Sequence, residues 1–204
     1  MRKAASLLAL FCIATFAQQK GTFTDTRDGK IYKTAKIGEQ VWMAENLNYE
    51  VEGSKCNNDS IFYCDKYGRL YDWAAAMKSC PKGWHLPSDA EWDKLMRYVD
   101  GDTGKEIPYK SKTAGKYLKA TSGWNDYEGK SGNGEDKFGF SALPGGFSSS
   151  GVFFFYAGMS SYWWSSSEHD SRYAYSRRIY YSNEGAYGYF NVKGTLQSVR
   201  CVGD

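Results

Sequence analysis

The feature that most constrains this chain is the set Cys56, Cys64, Cys80 and Cys201, read together with the segment that precedes them. The N-terminus reads MRKAASLLALFCIATFAQQK. Arg2 and Lys3 form a basic n-region, residues 4–16 an apolar h-region, and Thr15-Phe16-Ala17 a small-residue-ended cleavage site. That pattern predicts a secretory signal peptide over residues 1–17. The apolar run falls short of the roughly 20 residues a spanning helix needs. A lipid anchor at Cys12 is the weaker alternative, because Phe11 stands where a small residue is wanted and Ile13 continues the apolar run. In an oxidising compartment the four remaining cysteines predict two disulfides, with three connectivities open. Cys56 and Cys64 flank a polar loop, so pairing them is the economical choice. Cys80 would then join Cys201 and close a loop of about 120 residues, which chain entropy values at roughly 4–5 kcal/mol. A zinc site fits poorly, since there is no CxxC and only His85 and His169 supply imidazoles.

Loss of Arg2 and Lys3 leaves 24 of the 26 basic residues against 23 acidic ones, a mature charge near +1. Such a chain has no strong electrostatic reason to bind nucleic acid or an anionic membrane. Its excess lies in aromatics, with 17 Tyr, 11 Phe and 7 Trp among 204 residues. That length supports one domain with a real core.

Residues 18–26 read as a flexible lead. Residues 30–37 and 40–43, turned by Gly38-Glu39, read as a hairpin. Residues 49–67 read as a loop holding Cys56 and Cys64, and residues 70–79 as a helix. Ser88 and Glu91 form a capping box before Trp92, Leu95, Met96 and Val99, whose spacing predicts an amphipathic helix. A short helical piece is expected over residues 116–120. Strands are expected over 138–143, 152–156, 162–165, 172–181, 186–191 and 196–202. On the 172–181 strand, alternation puts Tyr173, Tyr175, Ile179 and Tyr181 on one face. The fold class is α+β, with helices early and an antiparallel sheet late.

Six segments stand in order: DGKIYKTAKIGEQVWMAENLNY, YGRLYDWAAAM, CPKGWHLPSDAEWDKL, FGFSALPGG, YWWSSSE and SVRCV. Together they resemble the Fibrobacter succinogenes major paralogous domain family from about Thr24 to Asp204. The GWHLPSDAEW block also resembles the formylglycine-generating sulfatase-modifying family. Both resemblances imply a C-type-lectin-like fold over a single domain, residues 27–204. In that fold two main helices pack on a twisted sheet and a disulfide ties the first helix to the last strand, where Cys80 and Cys201 stand. Members of the family are exported, which places the chain in the periplasm, at the cell surface or in the medium. The resemblance supplies no reaction.

Trp124-Asn125-Asp126 spells the tripeptide with which C-type lectins hold calcium and sugar. It stands about 75 residues ahead of Cys201 rather than shortly before the closing cysteines. Calcium wants about 6–8 oxygens, so a site here requires Asp126, Glu128, Glu135 and Asp136 to converge, with Lys130 and Lys137 opposing. No other cofactor is indicated. His85 reads as a structural histidine. Ser167, His169 and Asp170 sit too close together in sequence to stack as a triad. The sulfatase-modifying enzymes work through a closely spaced cysteine pair, and Cys201 has no neighbouring cysteine, so no catalytic residue is assigned. The aromatics carry the functional reading. Flat rings face sugar C–H surfaces while Tyr O–H and Trp N–H keep hydrogen-bonding capacity. The face is expected from Tyr162, Trp164, Tyr173, Tyr175 and Tyr181, with residues 153–156 nearby. Arg177 and Arg178 offer cation–π or carboxylate contacts. The expected function is an exported, non-enzymatic binding module for polysaccharide or a surface partner protein. A self-associating adhesion component and an enzyme on a sulfatase-modifying-like fold are the alternatives.

Overall fold

The computed structural model describes residues 19–101 and 110–204; the expected signal peptide and Cys12 lie outside them. Fourteen short strands and four α-helices lie among these residues, so the fold is α+β and mostly sheet. One sheet is ordered β1 (Lys20–Thr24), β2 (Ile31–Ile37), β3 (Gln40–Met43), β14 (Val202–Gly203) and β6 (Trp84–His85). A second is ordered β4 (Ser54–Lys55), β5 (Leu70–Tyr71), β13 (Gln197–Ser198), β10 (Ser160–Glu168), β11 (Tyr173–Tyr180), β12 (Ala186–Val192) and β7 (Lys110–Ser111). Strands β8 (Phe147–Ser148) and β9 (Phe154–Phe155) form a small hairpin apart from both. Among the described residues no helix is long and apolar enough to cross a membrane.

The helices are α1 (Ile61–Tyr67), α2 (Trp73–Ser79), α3 (Asp89–Val99) and α4 (Ala114–Leu118). Helix α3 starts where the sequence says it should. The Ser88 side chain accepts from the Glu91 N–H, and the Glu91 carboxylate accepts from the Ser88 N–H at 2.7 Å, satisfying two otherwise orphaned donors. Asp72 caps α2 by accepting from the Ala75 N–H. Both disulfides are present as expected, with Cα atoms 5.0 Å apart in Cys56–Cys64 and 5.9 Å apart in Cys80–Cys201.

The core lies on both sides of β10. Trp163 packs with Trp92 of α3, Trp42 and Phe140 on one side. On the other, Trp164 packs with Tyr71, Ala76 and Leu86, and its indole N–H donates to the Tyr71 carbonyl at 2.8 Å. Both tryptophans are therefore core, and Trp164 is withdrawn from the expected surface face.

Three other expectations are corrected. Residues 20–24 are not a flexible lead: they pair with β2 in full register, from Lys20 opposite Ala35 to Thr24 opposite Ile31. Within the expected loop, α1 itself carries one end of the Cys56–Cys64 crosslink and holds Cys64 and Tyr67 inward. Residues 138–143 form no strand. Phe140 and Ala142 are buried, but Ser141 has φ +51°, which ends any extended run. The carbonyls of Phe140 and Ser141 are instead met by the buried Arg200 guanidinium, which also donates to Met43 O at 3.1 Å and Asn46 Oδ1 at 2.7 Å. Burial pulls the Arg200 pKa down to about 9.

Candidate functional site

The second sheet carries an aromatic band, and strand register explains how. Tyr162 of β10 stands opposite Arg178 of β11, Arg178 opposite Tyr187 of β12, and Tyr187 opposite Lys110 of β7. Directly opposed residues share a face, so Tyr162, Arg178, Tyr187 and Lys110 form one row across four strands. At about 4.8 Å per strand the row spans roughly 14 Å. Tyr180 and Tyr189 extend the same face by one pleat.

Ring contacts link this row to both neighbours. On one side Tyr162 meets Phe147 at 4.9 Å between centroids, and Phe147 meets Phe155 and Tyr156 at 5.5 and 6.0 Å. Tyr162 also meets Tyr180, which meets Tyr187 at 6.0 Å. On the other side Tyr189 stacks beside Phe190 at 5.3 Å, and Phe190 stacks on His169 at 4.3 Å and meets Tyr173 at 5.6 Å. The Arg178 guanidinium bridges the halves, 5.5 Å from the Tyr180 centroid and 4.2 Å from that of Tyr189. The tips are open to solvent: Tyr156 is 52% exposed and Tyr189 44%. A hollow of about 380 Å³ lies at the Tyr189 end, lined by His169, Tyr175, Gly188, Tyr189 and Phe190.

The expected face and the observed band overlap in part. Tyr173 and Tyr175 lie at the hollow end. Tyr162 belongs to the band but is only 8% exposed; burial and the Tyr180 hydroxyl push its pKa up. Tyr181 is elsewhere, its ring 5.2 Å from Tyr127, in a polar cleft of about 460 Å³. Arg177 is excluded as a surface contact. It is 2% exposed and turns to α3, where it pairs with Asp89 and with Asp93 at 2.6 Å. Sequence reasoning offered both arginines, because single-strand alternation does not say which face is covered. The pair Asp89 and Asp93, one turn apart on an amphipathic helix, was the available signal that one arginine would be consumed internally. Tyr187, Tyr189 and Phe190 were visible only as members of the expected strand over residues 186–191.

The four expected calcium ligands do not gather. Asp136 accepts from the Ser141 N–H at 2.7 Å and hydroxyl at 2.6 Å. Glu135 lies 3.3 Å from Lys116, and Glu128 is engaged by the Tyr127 hydroxyl. Trp124 is a core residue, donating to the Ala142 carbonyl at 2.9 Å. Among the described residues no three His, Cys, Asp or Glu side chains are placed to hold a metal ion. In the same polar cleft Lys119 is buried, with its ammonium 3.3 and 3.2 Å from the Tyr180 and Asn183 carbonyls. Burial pulls its pKa down to about 8.

The histidines serve local geometry. His85 joins Glu91 at 2.8 Å to Asp204 at 2.6 Å. Burial lowers its pKa, but the hydrogen bonds to those two carboxylates outweigh it and the net shift is upward. His169 Nδ1 lies 3.0 Å from Asp170, while the Ser167 hydroxyl accepts from the Asp89 N–H at 3.0 Å. No triad is assembled from these three.

No curated protein and no solved structure matches the chain. The family model described as the Fibrobacter succinogenes major domain matches residues 35–203, nearly all of the described fold. The chain therefore belongs to the Fibrobacter succinogenes major domain family.

Proposed function

We propose that this protein is an exported, non-enzymatic binding module that holds polysaccharide along the aromatic band. One observation carries the reading: rings from three strands and a hairpin join by contact into one chain that crosses the sheet face and turns over the edge of β12, with exposed rings at both ends. Pyranose rings offer apolar C–H faces of matching shape, and tyrosine hydroxyls at the rim supply hydrogen bonds. Export is supported by the leader and by two closed disulfides, which belong to oxidising compartments. The Cys80–Cys201 tie between the end of α2 and the approach to β14 supports a C-type-lectin-like kinship, which superposition of an experimental structure on such domains tests. All four described cysteines are crosslinked, which takes away the free thiol pair that sulfatase-modifying chemistry requires.

Retention on insoluble polysaccharides and on a glycan array tests the binding reading. Retention of the parent chain and its loss in a Tyr187→Ala, Tyr189→Ala double variant are expected. Failure to bind any glycan would overturn the proposal. A second reading, self-association, draws on the hairpin tip, where Val152 and Phe153 are 66% and 64% exposed. It predicts a sedimentation coefficient that rises with protein concentration and falls back on Phe153→Ser.

A further inference from the structure

We propose that the band selects acidic polysaccharides, with Arg178 as the group that reads a sugar carboxylate. This rests on the polysaccharide reading above and names the class of glycan. The starting observation is what Arg178 lacks. Its guanidinium meets rings only, and among the described residues it has neither a carboxylate partner nor a hydrogen-bond acceptor; its Nε is buried without one. A guanidinium is a planar fork of five donors that suits a carboxylate bidentately. Only the Nε is buried without a partner, so the terminal nitrogens stay accessible to an incoming acceptor.

The setting points the same way. Tyr180 and Tyr189 flank the guanidinium, at 5.5 and 4.2 Å from their ring centroids. Lys110, at the far end of the row, is exposed and lies 5.7 Å from the Tyr187 ring centroid. It too has no carboxylate partner among the described residues. The row therefore alternates Tyr162, Arg178, Tyr187, Lys110: ring, cation, ring, cation. No carboxylate belongs to it. Some cations elsewhere do meet carboxylates, as in Lys94 with Glu39, Lys116 with Glu135, and Arg69 with Glu50, whereas the row itself offers its cations only rings. Two cations with no carboxylate partner among the described residues, separated by a tyrosine, complement a chain that presents carboxylates at intervals between flat sugar faces. A polyuronate has that chemistry. A neutral glucan would leave both cations unmet.

The test compares the full chain on polygalacturonate, on fully methyl-esterified polygalacturonate and on dextran sulfate, by affinity electrophoresis or calorimetry at fixed salt. Polygalacturonate is expected to bind about ten- to a hundredfold tighter than its methyl ester, the range a charge-assisted bidentate contact supplies. Arg178→Gln should remove most of that difference while leaving binding to the ester in place. Arg178→Lys should restore only part of it, because an ammonium lacks the fork. Lys110→Gln should cost less than Arg178→Gln. Equal binding to the acid and ester forms, or an unchanged preference in Arg178→Gln, would overturn the inference while leaving the polysaccharide reading intact. Dextran sulfate binding as tightly as polygalacturonate would overturn it in favour of unspecific polyanion attraction. Absence of binding to all three and to neutral glycans overturns the polysaccharide reading itself. Unfolding midpoints of Arg178→Gln and the parent should agree, which separates lost recognition from lost structure.

Discussion

Arg177 and Arg178 are adjacent on β11, yet the pleat sends one under α3 and the other into the aromatic band. Arg177 gives its two terminal nitrogens to Asp89 and Asp93 and is shut from water; Arg178 meets only rings. Trp164 and Tyr162 repeat the contrast on β10. They share a face, but Trp164 is sealed by the α2 side of the core, whereas Tyr162 lies against Phe147 at the base of the aromatic band. What decides a strand residue's role is therefore the element packed against it, more than its own chemistry. A cation whose terminal donors are filled is a strut, and one whose donors are empty can meet a ligand.

The largest way to break this contrast is at the tryptophan. Trp164→Ala should cost about 3–5 kcal/mol in urea unfolding, through the cavity and the deserted Tyr71 carbonyl. Tyr189→Ala should stay within about 0.5 kcal/mol; equal losses would mean the two ends of the face do not differ. Next comes the arginine pair. Arg177→Met should destabilise by about 3 kcal/mol, near the lower limit for a broken buried pair because both carboxylates keep some water. The same change at Arg178 should leave the midpoint within about 0.5 kcal/mol of the parent. For binding, each of Tyr187→Ala and Tyr189→Ala should weaken glycan retention about fivefold, the scale of a single ring contact.

The smallest effect lies off both faces. His85 has a raised folded pKa, so its contribution is fully present below its ordinary value of 6.5 and is lost as pH rises through the raised one. For Glu91, burial raises the pKa, but hydrogen bonds from Ser88 and His85 bring it below its ordinary 4.5 overall. Its contribution is therefore present above 4.5 and is lost as pH falls through the lowered value. A Tm profile should fall on the alkaline side, and His85→Gln should flatten that fall. An unchanged slope would remove His85 from the pH account.

The parts of this fold legible in sequence are those fixed by nearby residues. Ser88 and Glu91 announced α3, Gly38-Glu39 announced the β2–β3 turn, and the spacing of Cys56 and Cys64 announced their bond. Less legible was whatever depends on distant partners. Residues 20–24 look featureless until β2 lies beside them, and residues 138–143 look like a strand until Arg200 takes their carbonyls. The site divides the same way. Its aromatic material was plain, but its membership turned on which side of β11 α3 would cover.

Strand β14 has one further consequence, for the order of events during folding. It lies inside the first sheet, between β3 and β6, with Val202 opposite both Trp42 and His85. Cys201 beside it waits for a partner 121 positions earlier. Arg200 reaches back to residues 43, 46, 140 and 141. A chain emerging N-terminus first must therefore hold an unfilled slot in its first sheet until residues 200–203 arrive, and loop-closure entropy makes that arrival slow. Until then Cys80 remains a single thiol, and a protein stopped short of residue 200 would carry that thiol permanently as a mark of incomplete folding.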